Sequence, residues 1–135
     1  MKKIIFTLII ILCGIQSISA QMHVSTNLKR GSVFNETTEE YDLLYEDKEE
    51  LTFFEFSKGF TMVKHTTPTI TSAYTIKSST EDVENERWEL DIMSDVGNKY
   101  LMILDMRYNN VRFIYKKNGS TYRIEYSIKK LWLEE

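Results

Sequence analysis

The chain has 135 residues with seventeen Lys+Arg, twenty Asp+Glu, two histidines, one cysteine and five glycines. Without its first twenty residues it keeps fifteen bases against twenty acids, a net charge of −5, so bulk attraction for nucleic acid or an anionic membrane is excluded. The lone Cys13 falls within those twenty, which leaves no disulfide, no thiolate metal site and no thiol nucleophile beyond them.

Residues 1–20 read as a secretory signal peptide. Lys2 and Lys3 precede an apolar run, Ile4 to Ile15, broken only by Thr7 and Gly14. A small-residue tail, Gln16 to Ala20, supplies the cleavage region. The run is shorter than the roughly 20 apolar residues that span a bilayer, so the expectation is export to the periplasm or the extracellular space with no retained span. Residues 21–135 are then one domain, since about 115 residues suffice for a single core and no linker or repeat divides them.

Residues 21–29 carry little pattern, and a short strand is expected over Ser32–Asn35. The next stretch is ambiguous. Thr37 and Glu40 match a helix capping box, yet Tyr41, Leu43 and Tyr45 also alternate as a strand, which is preferred because every later element is one. Leu51–Ser57 and Phe60–Thr66 form a hairpin about Lys58-Gly59, and Pro68 ends its second strand. From Ile70 onward the two-residue period is strong. Ile70, Ser72, Tyr74 and Ile76 share one face. Trp88, Leu90 and Ile92, then Tyr100, Met102, Leu104 and Met106, then Val111, Phe113 and Tyr115, and finally Tyr122, Ile124, Tyr126 and Ile128 do the same. Successive side chains of a strand point to opposite sides, so this pattern buries one side of a sheet. Gly97-Asn98, Asn109-Asn110 and Asn118-Gly119 separate the runs, the last being the strongest short hairpin signal. Residues 79–86 are polar and read as a longer loop.

The fold class that follows is all-β: an antiparallel meander of about eight strands, as a small up-and-down barrel or a strongly curled sheet. Residues 36–50 hold eight acids and one lysine, and residues 107–130 hold seven bases and one acid. Closure would bring the early and last strands together, where opposite charges favour pairing; two solvated faces that never meet are the rival reading.

Catalytic signals are thin. His65, at a strand end, is conceivable as a base with a carboxylate, but one histidine without a visible partner is by default structural. The acids at 36–50 lack the spacing of a calcium loop, there is no Gly-x-Ser-x-Gly elbow and no phosphate-cradling glycine loop, and the methionines fit core positions. No metal or cofactor is expected. Aromatic residues are the enriched feature. They either fill a barrel or line a pocket for a small apolar ligand, with Tyr74, Trp88, Tyr100 and Phe113 as the candidate lining. The expected role is therefore a non-catalytic binding or interaction domain, acting on a small apolar ligand or another exported protein by a pocket or a sheet edge. A hydrolase-like enzyme using His65 is the second reading. An outer-membrane barrel is the third, disfavoured because Lys64 and Ser72 interrupt any apolar band.

Phe53-Phe54-Glu55-Phe56, His65-Thr66-Thr67-Pro68 and the run Ser94 to Tyr100, behind a signal segment and an acidic middle, resemble small exported bacterial β-sheet proteins of unknown function. That resemblance implies a fold and a location, and no activity. The architecture is also similar to lipocalin-type barrels, but the Gly-x-Trp opening strand is missing, so only architecture is implied.

Overall fold

The computed structural model describes residues 21–134, with the side chains at 49–51 set aside; the proposed signal segment lies outside the described residues. Eight strands follow in order: β1 (Gln21–Asn35), β2 (Glu40–Phe56), β3 (Met62–Thr66), β4 (Thr71–Asp82), β5 (Arg87–Ser94), β6 (Lys99–Asp105), β7 (Asn110–Lys117) and β8 (Ser120–Glu134). Each pairs antiparallel with the next, and β1 pairs with β8 to close the barrel. The described residues are thus all-β, antiparallel and closed into a barrel, the first of the two expected arrangements.

Turn chemistry explains the connections. Asn118 and Gly119 both take positive φ, 52° and 81°, as a two-residue hairpin turn of the right twist requires. The Thr37–Glu40 capping box does not start a helix. Asn35 Oδ1 instead accepts hydrogen bonds from the amides of Thr37 and Thr38, and the chain turns back into β2.

Two expectations need correction at the ends of strands. Residues 21–29, which lack an obvious pattern, begin the longest ladder in the molecule, because Met22, Val24 and Thr26 face inward before a register shift at Asn27 breaks the period. The polar stretch 79–86 is strand as far as Asp82, and only 83–86 form the turn. The charge pattern is met indirectly. β2 and β8 do not pair; both flank β1, whose Arg30 forms ion pairs with Glu46 of β2 and Glu125 of β8.

Because the meander alternates direction, the turns divide between two ends. Those at 36–39, 67–70, 95–98 and 118–119 lie at what we call the tyrosine end, and those at 57–61, 83–86 and 106–109 lie at the tryptophan end. At the tryptophan end the inward side chains fill the interior. Trp88, Leu90, Met102, Leu104, Met106 and Val111 are almost wholly buried. Phe60, held at a positive φ of 61° in its turn, stacks on Phe56 and reaches Trp88, with centroids 5.2 and 5.4 Å away. A bulky residue rarely adopts that backbone region. Here it lets a turn side chain close the end of the barrel. On the outer face at the same end, Asp105 is buried; it accepts a 2.7 Å hydrogen bond from Arg112 and a 2.9 Å bond from the Tyr108 amide, which fixes the β6–β7 turn.

Candidate functional site

At the tyrosine end the interior is not filled. A cavity of about 540 Å³ opens there between the walls of the barrel. Its floor and sides are Tyr74 from β4, Tyr100 from β6, Phe113 and Tyr115 from β7, and Ile124 and Tyr126 from β8. His65 of β3 forms part of the lining, and Asn98, Lys99, Lys116 and Lys117 stand at the rim.

The parity of each strand puts these side chains inside. Tyr74 lies opposite Val63 in the β3–β4 ladder, and Tyr115 lies opposite Tyr122 in the β7–β8 ladder. The rings brace one another edge to face. Tyr74 meets Tyr100 and Phe113, each at 5.8 Å, and Phe113 meets Tyr126 at 6.0 Å. Such contacts contribute about 0.5–1.5 kcal/mol each beyond burial.

His65 is 8% exposed. Its ring stacks on Phe54 at 4.3 Å and 10°, and meets Tyr126 and Phe113 edge to face. Its Nε2 has no hydrogen-bond partner. Burial, with the positive field of Lys29 added, pushes its pKa down to about 4, so the ring is neutral near pH 7. Lys29 itself faces inward, its Nζ 5.9 Å from the rings of both Tyr45 and Tyr126. It can do so because the register shift at Asn27 reverses the facing of β1, and because Gly31 presents no side chain where the Tyr45 ring crosses the strand. Burial also raises the pKa of Tyr74, with Tyr100 adding to the effect, and that of Tyr115, beside Tyr45, Tyr100 and Tyr122. These phenols are therefore neutral hydrogen-bond donors in ordinary conditions.

Three of the four residues expected to line a pocket do so together: Tyr74, Tyr100 and Phe113. Trp88 does not. It lies at the opposite end, packed under Phe60, because its strand β5 runs from the tryptophan end and places its first inward residue there. His65, by default structural and conceivable as a base beside a carboxylate, is walled by Phe54, Phe113 and Tyr126. Sequence reasoning left Tyr115, Ile124, Tyr126 and Lys29 out of the site. The first three share the inward parity of Phe113 and were recoverable from it. Lys29 was hidden by the register shift.

His23, which the sequence leaves in an unpatterned tail, sits in β1 on the outer face. It stacks on Trp132 at 5.1 Å, and Glu134 Oε2 lies 2.9 Å from its Nε2 but out of line for a hydrogen bond. Among the described residues, no group of three or more His, Cys, Asp or Glu is placed to hold a metal ion. Compared with known proteins, the chain matches no family model, no curated protein and no solved structure.

Proposed function

We propose that this protein is an exported, non-catalytic binding domain that holds a small apolar ligand in the tyrosine end of its barrel. The observation that carries the reading is the open aromatic cavity of about 540 Å³ beside a filled half of the same interior. Ligand sites are concave and combine apolar walls with a few polar groups; this cavity has aromatic walls, with polar tips and rim groups that make up a large share of its lining. Its polar groups are hydroxyls, an imidazole and rim lysines. They suit orientation of a ligand, whereas proton transfer by His65 would call for a neighbouring acid where aromatic rings stand.

Two further points support the reading. Lys2, Lys3 and the apolar run that follows them have the layout of an export signal. The outer face carries Arg30, Glu55, Lys64, Glu89, Arg112 and Glu125, with apolar side chains inside, which is the inverse of a barrel with a lipid-facing apolar band.

Native mass spectrometry of the protein purified from its own host, together with a fluorescence titration using the neutral probe N-phenyl-1-naphthylamine, tests the proposal. A co-purified small molecule, or saturable binding of the probe at one site per chain, is the expected result. A bare protein that also leaves the probe in water would overturn the reading.

A further inference from the structure

The wall of the cavity is open on one side. The β6–β7 ladder ends at Leu101 and Ile114. Beyond that pair, Lys99 and Tyr100 remain bound only to β5, through Met93 and Ile92, while Tyr115, Lys116 and Lys117 remain bound only to β8. The β5–β6 and β7–β8 hairpins therefore diverge toward their tips. A second cavity, about 790 Å³, lies against the outside of this fork, floored by Met93, Leu101 and Ile114. Four residues line both the inner and the outer cavity: Lys99, Tyr100, Tyr115 and Lys116. The two tyrosine rings meet edge to face at 5.6 Å and 73°, and form the partition between the two spaces. Both are half-buried and belong to strand ends that lack a ladder between them, so little backbone bonding opposes their separation.

Charge at the fork is mainly positive, although Asp95 in the β5–β6 turn lies near enough to Tyr74 to help raise its pKa. Lys77, Lys99 and Lys116 border the outer cavity with one acid, Asp91, whose Oδ2 already accepts a 2.7 Å hydrogen bond from Ser78. Lys117 joins Lys99 and Lys116 at the inner rim, and no carboxylate lines the inner cavity among the described residues. A cationic rim around an apolar opening, on a chain with net charge −5 over residues 21–135, attracts anions against the protein's overall field.

Resting on the binding role above, we infer that the ligand is an apolar acid that passes sideways between β6 and β7. Its hydrophobic body displaces the Tyr100–Tyr115 contact and enters the cavity. Its single anionic group, a carboxylate or sulfonate, stays in water at the fork between Lys99 and Lys116. Leaving the anion outside avoids the cost of burying a charge, while the body takes the aromatic space.

Two probes with the same ring system separate this inference from the reading beneath it. Anilinonaphthalene-8-sulfonate carries the anion, and N-phenyl-1-naphthylamine lacks it. The protein should bind the sulfonate roughly five- to tenfold more tightly at low salt, and added salt should erase the difference. The Lys99→Gln/Lys116→Gln pair should lose that advantage, so that its affinities for the two probes become equal. Lys58→Gln/Lys129→Gln, with the same net charge but at exposed sites away from the fork, should keep the advantage. All four lysines are exposed, so these changes leave the packing alone. For the lateral path, stopped-flow mixing with the neutral probe should show association at least tenfold faster in Tyr100→Leu or Tyr115→Leu than in the parent, with Tyr108→Leu, exposed at the tryptophan end, near the parent rate. Equal affinity for both probes, or an equal loss in the two lysine pairs, overturns the anionic class. Unchanged association rates overturn the lateral path. Both results leave the binding role standing, whereas failure of both probes to bind removes the binding role and this inference together.

Discussion

The two ends of this barrel are made from the same strands and the same two-residue period, yet one is full and the other is hollow. At the tryptophan end, methionine, leucine and valine side chains interdigitate and a turn residue, Phe60, is bent inward to close the gap. At the tyrosine end the inward positions hold rings with polar tips, which brace one another at 5.6–6.1 Å and leave a space. Flexible aliphatic side chains collapse into gaps, whereas rigid phenols stand off at a fixed distance. The alternation of polar and apolar residues decides which side of a strand faces inward. The kind of apolar residue decides whether the inside is core or cavity.

That contrast predicts unequal responses to substitution. The largest effect belongs to Trp88→Ala, which empties the filled end and should cost about 3–5 kcal/mol in urea melts while leaving N-phenyl-1-naphthylamine affinity within twofold once folded. A cost below about 1 kcal/mol would mean that the tryptophan end is not the close-packed half.

Acidification should strike the hollow end next. His65 titrates near pH 6.5 in the unfolded chain and about 4 in the folded one, because the buried ring resists a proton. Above pH 6.5 both states are neutral there and the ring contributes no pH dependence. As pH falls from 6.5 to 4 the unfolded state gains the proton first, so about 3 kcal/mol of stability is lost over that window and no more below it. Melts at pH 7 and pH 4 should show this extra loss in the parent and not in His65→Leu. Equal acid sensitivity in the two would place His65 in water.

The smallest effect should come from Tyr100→Phe, which keeps the ring and its contacts and removes one hydroxyl beside a cavity. Its stability should change by less than about 1 kcal/mol. A larger loss would show that the phenol is bonded into the wall and that the tyrosine end is more like a core than a cavity.

Much of this was legible in the residues. The runs from Ile70 onward and the Asn118-Gly119 turn define five strands, β4 to β8, with correct facing except for Ile70, which lies exposed before β4, and Tyr74, Tyr100 and Phe113 do meet across the interior. Closure was less legible, because it depends on β1, whose period is broken at Asn27 and whose Gly31 is covered by Tyr45 from the neighbouring strand. The end of the barrel that holds Trp88 follows from the direction of β5 in the meander, but its height relative to its neighbours was not legible. Parity says that a side chain points inward, but its height in the barrel depends on stagger, which accumulates around the ring through register shifts such as those in β1 and in β4 between Ile76 and Ser78. The fork between β6 and β7 had no local signal, since it is the absence of pairing between residues that alternate as well as any others in those strands.

The claim on which the rest stands is that the tyrosine end is an accessible cavity with aromatic walls. Ile124→Trp projects an indole into it from β8 without touching the filled end. Titrating this variant with N-phenyl-1-naphthylamine is the most direct measurement. The account predicts at least a tenfold loss of affinity with a melting temperature at or above that of the parent. Undiminished binding by a folded Ile124→Trp variant would place the probe elsewhere and contradict it.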